Sequence, residues 1–120
     1  MNPSKSFADL IVWQKSHNLV LAIYKASSKF PKEELYWVTS QIRRAAVSIP
    51  ANIGEGFIKT GTKDKMRFYN IAQGSLEELK YYLILINDLN YYKTFNLKEM
   101  ADEVGMILNG YIKSILNSNS

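Results

Sequence analysis

Ser40-Gln41-Ile42-Arg43-Arg44-Ala45-Ala46-Val47-Ser48-Ile49-Pro50-Ala51-Asn52-Ile53-Gly54-Glu55-Gly56-Phe57 is the stretch from which the fold can be read. Ile42, Ala45, Ala46, Ile49, Ile53 and Phe57 recur at three- and four-residue steps, which draws one apolar stripe down a helix. Gln41, Arg44, Ser48, Asn52 and Glu55 follow the same steps and draw a polar edge beside it. Small or helix-breaking residues fill the rest: Ala45, Ala46, Ala51, Gly54 and Gly56, with Pro50 removing an amide donor and pressing on the Ala46 carbonyl. Such composition suits a helix that neighbours approach closely, with a polar edge whose groups satisfy one another at an interface.

Working outward, Leu35 and Val38 extend the stripe upstream, and Phe30-Pro31 ends the helix before it. That first helix is expected over about 7–28, capped by Ser6 with Asp9 in its first turn. Leu10, Trp13, Val20 and Tyr24 form one apolar row, and Val12, Leu19, Ile23 and Ala26 the next. His17 lies in the first row, where a packed histidine is expected rather than a ligand or base. The second helix is expected over about 33–59, opening on Glu33 and Glu34 at its positive dipole end, with Trp37 as a partly covered surface indole.

Gly61 stops that helix and Thr62 is expected to cap a third over about 63–89. Its core positions are Phe68, Ile71, Ala72, Leu76, Leu79, Leu83, Ile86 and Leu89, with Gly74 expected beneath a neighbouring backbone. Asn96-Leu97-Lys98-Glu99 reads as a capping box for a fourth helix over about 97–116. Leu97, Met100, Ala101, Val104, Ile107, Leu108, Tyr111 and Ile115 give that helix a core face. The tail Asn117-Ser118-Asn119-Ser120 is expected to fray. The expected architecture is an all-α, antiparallel up-down-up-down, left-handed four-helix bundle filling residues 1–120 as one domain.

With the turn centred on Gly61, positions equidistant from it should face one another. Arg44 then meets Glu78, Glu55 meets Arg67, and Ser48 meets Gly74. The expectation is a structural polar network of Gln41, Arg44, Ser48, Asn52, Glu55 and Glu78. An acid/base use of Arg44, Glu55 and Glu78 is the competing explanation.

Composition narrows the function. The chain has no Cys and one His, which removes disulfide, thiol and Cys- or His-cluster metal chemistry. Met1–Phe7 carries no apolar signal run and no segment nears the ~20 apolar residues of a membrane helix, so a cytoplasmic, non-membrane protein is expected. No phosphate-cradling loop, nucleophile elbow or metal spacing is present, so no catalytic residue, metal or cofactor is assigned. The net charge of +4 is uneven, since 11 of the 15 Lys and Arg residues precede Phe68. Lys59, Lys63, Lys65 and Arg67 surround the second turn, Lys5 belongs at the same end, and Arg43 is a further exposed-cation candidate. These are candidate phosphate contacts; a solvated basic turn explains them equally simply. Tyr69 and the Tyr81-Tyr82 pair are candidates to stack bases, with core or subunit packing as the alternative.

The run Ser-Gln-Ile-Arg-Arg-Ala-Ala-x-Ser-Ile-x-Ala-Asn-Ile-x-Glu-Gly, with Ile71-Ala72-x-Gly74-Ser75-Leu76-x-Glu78-Leu79 downstream, resembles the four-helix bundle proteins encoded in intervening sequences of bacterial 23S ribosomal RNA genes. That family was once filed as ribosomal and is similar to the accessory subunit of diversity-generating retroelements. The resemblance implies a non-enzymatic homo-oligomer, a pentamer in relatives, and a partner in RNA, DNA or a reverse transcriptase. A helical scaffold binding other proteins without nucleic acid is the rival expectation, and an enzyme of unrecognised type the third. Trp37 departs from the small residue common at its position in that family.

Overall fold

The computed structural model describes residues 4–118. Four long helices form among them: α1 (Ile11–Ser27), α2 (Ser40–Ile58), α3 (Thr62–Asp88) and α4 (Phe95–Ser118). No described residue is in a strand. Each helix packs beside the next, α4 closes back on α1, and the closest packing is between α2 and α3. The result is a four-helix bundle 48 Å long and 24 by 21 Å across, a length close to the roughly 40 Å that a helix of α3's size spans.

The apolar stripe of α2 explains this arrangement. Ile42, Ala45, Ala46, Ile49 and Ile53 are all buried, as are Leu76, Leu79, Leu83 and Ile86 from α3. Val12, Leu19, Ile23 and Ala26 of α1 and Leu97, Ala101, Val104 and Leu108 of α4 complete the core. Burying such a side chain contributes about 1.5–3 kcal/mol, against which helix propensity is a small term. Ser48 meets Ser75 and Gly56 meets Tyr69, so one helix ascends as the other descends. Burial departs from the sequence reading at the stripe's margins. Ile71 and Leu89 are 46% and 47% exposed, because each sits on the outer edge of its row.

The helix ends differ from expectation in ways with local causes. At the N-terminal end, the Ser6 hydroxyl accepts from the Ala8 N–H and Asp9 reaches back to the Ser6 N–H. This capping box closes a single 3-10 turn, Phe7–Asp9. Leu10 then turns extended and α1 starts at Ile11. The expected second helix is three pieces: a 3-10 turn at Lys32–Glu34, a π-helical segment at Leu35–Thr39 with Trp37 outside helical geometry, and α2 from Ser40. Thr62 is the first residue of α3 instead of its cap, a place taken by Gly61. Asn96 does not cap α4 either: the helix opens one residue before it, and the Lys98 N–H donates to the Thr94 carbonyl. The Thr94 hydroxyl donates to the Leu83 carbonyl at 2.8 Å, which ties the last connection to α3. Asn117 and Ser118 are helical; Asn119 and Ser120, the rest of the tail expected to fray, lie outside the described residues.

Gly74, expected under a neighbouring backbone, has open space where a Cβ would be. The close approach is at Gly56, whose added Cβ would lie 2.4 Å from a ring carbon of Tyr69. Tyr69 is fully buried, and its hydroxyl lies 3.2 Å from that of Tyr111. Burial, with the hydrogen bond and nearness of Tyr111, pushes the Tyr69 hydroxyl far above its ordinary value of 10.0. In the unfolded chain the same phenol ionises near pH 10. Above that pH the folded state therefore holds the extra proton, and stability falls as pH rises, by up to about 1.4 kcal/mol per unit for this group. Lys65, whose pKa burial lowers, acts oppositely below its ordinary 10.5, where the unfolded chain holds more protons. The Tyr69→Phe variant isolates the tyrosine: urea midpoints measured below and above about pH 10 should fall less steeply for the variant than for the parent.

Candidate nucleic-acid interface

The five cations singled out in the sequence do not form one patch. Arg43 is half-buried toward the start of α2, with its Nε donating to the Ser27 hydroxyl at 2.8 Å and its guanidinium 4.8 Å from the Tyr24 ring centre. Sixteen residues of helix, roughly 24 Å, separate it from Lys59. Lys65 points inward. Its ammonium donates to the carbonyls of Gly56 and Phe57 at 3.1 and 2.9 Å, joining the Lys59 N–H on Gly56 and serving a carbonyl of the helix C-terminus at Phe57.

Lys59, Lys63 and Arg67 remain at the turn, Lys59 and Arg67 about Phe68 and Lys63 exposed at the start of α3. The Lys59 ammonium is 5.2 Å and the Arg67 guanidinium 4.9 Å from the centre of that ring. Sequence reading placed Phe68 in the core row, whereas it is only half-buried and forms the apolar floor between two cations. Arg67 has one acidic neighbour, Asp64, at 3.9 Å, with both side chains well exposed. A pair so exposed adds little and leaves the guanidinium open to an anion. Lys5 lies at this end, beside Phe57 and Ile58 on the rim of a shallow apolar groove of about 650 Å³. His17 lies in the same groove, stacked on Trp13 at 5.0 Å and 12°, as a packed aromatic.

The polar edge of α2 is real in its middle and not at its ends. Ser48 and Ser75 hydroxyls meet at 2.7 Å, and the Asn52 amide donates to the Ser48 carbonyl and hydroxyl. Ser75, not Gly74, is thus the partner of Ser48, one residue off the expected register. Arg44 donates to Gln41 at 2.6 Å, and Glu78 accepts from the Tyr82 hydroxyl at 3.3 Å. Neither expected ion pair forms: Arg44 and Glu78 are not within 4.0 Å, and Arg67 turns to Asp64 instead of Glu55. These side chains are exposed, and solvated charges gain too little from pairing to be held together. By the observed contacts, Glu55 and Glu78 stand eight to ten positions apart in register on facing helices, roughly 12–15 Å, too far to share one reacting group.

Tyr69 is withdrawn from the stacking candidates by its burial, while Tyr81 is 59% exposed beside half-buried Tyr82. Among the described residues no cluster of His, Asp or Glu could hold a metal ion, and no helix is long and apolar enough to cross a membrane.

Lys65 should act on stability alone. Lys65→Met keeps the stem but deletes both carbonyl contacts, and should lower unfolding free energy by about 1–2 kcal/mol. Urea denaturation checks this, with the variant's affinity for RNA expected to stay within about twofold of the parent's, less than half a kcal/mol.

Comparison with known proteins agrees with this architecture. A family model described as 23S rRNA-intervening sequence protein matches residues 8–110. A 1.70 Å crystal structure from Bacteroides thetaiotaomicron, of a protein with unknown function from the S23 ribosomal protein family, superposes with a TM-score of 0.79. It is 24% identical and covers 86% of this chain and 99% of its own, a likeness of fold. No curated protein matches the sequence.

Proposed function

The chain belongs to the 23S rRNA-intervening sequence protein family, and from that premise we propose that it is a non-enzymatic, oligomeric binding platform for structured nucleic acid or a nucleoprotein. The observation that carries this reading is the pair Lys59 and Arg67 over Phe68 beside the turn between α2 and α3, with Lys63 exposed one turn before Arg67. Three cations at the end of α2 and in the first two turns of α3 offer phosphate contacts, and among the described residues Asp64 is the carboxylate paired with one of them. Phosphate contact of this kind positions a nucleic acid without reading its sequence. In the cytoplasm the partner is RNA, DNA or the nucleoprotein of an enzyme such as a reverse transcriptase.

The oligomer is supported by the outer row of α3. Ile71, Tyr81 and Ile84 are each about half exposed, with Gly74 open between them, and exposed apolar rows of this kind mark contact surfaces. A ring of five copies, as the family resemblance implies, would multiply the basic turn around one rim. Repetition matters energetically, because several weak phosphate sites on one rigid body bind far more tightly than one.

The test is light-scattering mass across a salt series, with and without a structured RNA, reading affinity in the same titration. A ring-sized particle whose RNA affinity falls steeply with salt supports the platform. A particle indifferent to RNA at low salt overturns it and leaves the rival reading, a scaffold for other proteins, which the same exposed row on α3 would serve.

A further inference from the structure

We propose that the corner where the chain passes from α1 into α2 is a second contact surface, a stacking ledge for unpaired nucleotides. This rests on the nucleic-acid reading above and adds what the basic turn does not provide, a means of preferring single strands. Tyr36 is 88% exposed and Trp37 71% exposed. Both sit in the π-helical segment before α2, where Trp37 leaves helical geometry at φ −121° and ψ −106°. The two rings make no ring contact with one another or with any other described aromatic side chain, so the bundle does not use them for packing.

Tyr36 borders a groove of about 480 Å³ that Tyr24, Leu35, Arg43 and Arg44 also line, and on its other side it borders Trp37. Arg43 is held in place, stacked on Tyr24 and bonded to Ser27, and exposed Arg44 beside it donates to Gln41. Neither guanidinium has a carboxylate within 4.0 Å among the described residues. The nearest acids on the aromatic side are Glu33, which borders Tyr36 and Trp37, and Glu34, which accepts from the Tyr91 hydroxyl at 3.3 Å. A polyanion is therefore drawn along the arginine side, with its bases turned toward the rings.

Charge complementarity and open ring faces together select the ligand. Duplexes enclose their base faces, so only unpaired bases can stack on Tyr36 and Trp37, while the phosphates between them meet Arg43 and Arg44. An apolar protein surface would match the rings alone, whereas phosphates also answer the two guanidinium groups that have no carboxylate within 4.0 Å among the described residues. Stacking one base on one exposed aromatic side chain should be worth roughly tenfold in affinity, about 1.4 kcal/mol.

The experiment is fluorescence anisotropy of the full chain with a short labelled oligouridylate and with a duplex RNA of equal length. The single strand should bind the more tightly. Trp37→Ala and Tyr36→Ala should each weaken it roughly tenfold while leaving the duplex affinity and the salt dependence unchanged, and Trp37→Phe should retain most of the binding. Both positions are exposed, and helical circular dichroism verifies that the variants fold. Unchanged single-strand affinity in Trp37→Ala overturns the ledge; if neutralising Lys59, Lys63 and Arg67 still abolishes binding, the platform reading survives it. No binding of either RNA at low salt overturns both. A drop in particle mass in Trp37→Ala with RNA affinity unchanged also overturns the ledge, making the corner a joint between copies.

Discussion

Gly56→Ala should be among the most damaging single-methyl additions in the protein, lowering the unfolding free energy by about 3 kcal/mol and Tm by roughly 10–15 °C. A Cβ there would sit 2.4, 2.8 and 3.0 Å from three carbons of the Tyr69 ring. The ring cannot swing aside cheaply. It is fully buried, with Tyr111 edge-on at 5.4 Å between centroids and their hydroxyls in contact. Alanine's better helix propensity, worth about 1 kcal/mol, offsets only part of the clash. Two comparisons make the cause identifiable. In a Tyr69→Ala background the clash has no partner, so Gly56→Ala should become neutral or stabilising by up to about 1 kcal/mol, a non-additivity that only contacting residues show. Gly74→Ala, whose Cβ meets nothing, should raise the stability of the monomer by up to about 1 kcal/mol. Thermal unfolding followed by circular dichroism measures all three. A Gly56→Ala protein as stable as the parent would mean that α2 and α3 are not in van der Waals contact at this level.

Gly56 also shows where sequence stops informing. The apolar rows were legible because burial repeats with the helical period, so Ile42, Ala45, Ala46, Ile49 and Ile53 could be assigned to the core by spacing alone. Gly56 and Gly74 look alike in sequence. Which of them faces a ring depends on the rotation of α3 about its axis, and the buried ring belongs to a tyrosine whose polar tip argued for the surface. Lys65 carried a usable signal: it precedes Tyr69 by four and Ala72 by seven, so it stands on the inward row and reaches the end of α2, whereas Lys63 does not. The π-helical corner had no signal, since Leu35-Tyr36-Trp37-Val38-Thr39 contains neither Gly nor Pro. Of the charged edge, only the Ser48–Asn52–Ser75 core of short side chains could be held by packing. Long exposed side chains such as Arg44 and Glu78 have many alternatives in water, and an expected register does not overcome that freedom.

Neutralising Lys59, Lys63 and Arg67 together should cost the largest share of RNA affinity. Each cation that meets a phosphate of duplex RNA releases about 0.9 of a counterion, so the slope of log affinity against log salt should flatten by roughly 2.7 if all three engage. At about 0.1 M salt the same relation gives a loss of order several hundredfold. Arg67 has Asp64 beside it at 3.9 Å and must give up part of that attraction on binding, which moves the expected loss toward the lower end. Substitution with Gln keeps a polar side chain of similar reach at each position, so fold and floor are preserved while the charge goes. The control lies at the other end of the bundle, where Lys93 and Lys98 flank the start of α4, two exposed cations beyond the end of α3. Replacing them with Gln should shift the affinity for duplex RNA, which the aromatic ledge at that end does not hold, far less than the turn does. Equal losses at the two ends would show that net charge alone attracts the RNA, and the turn would lose its standing as a site. A large loss confined to the turn, with the slope falling in step, is what three phosphates held at one place require.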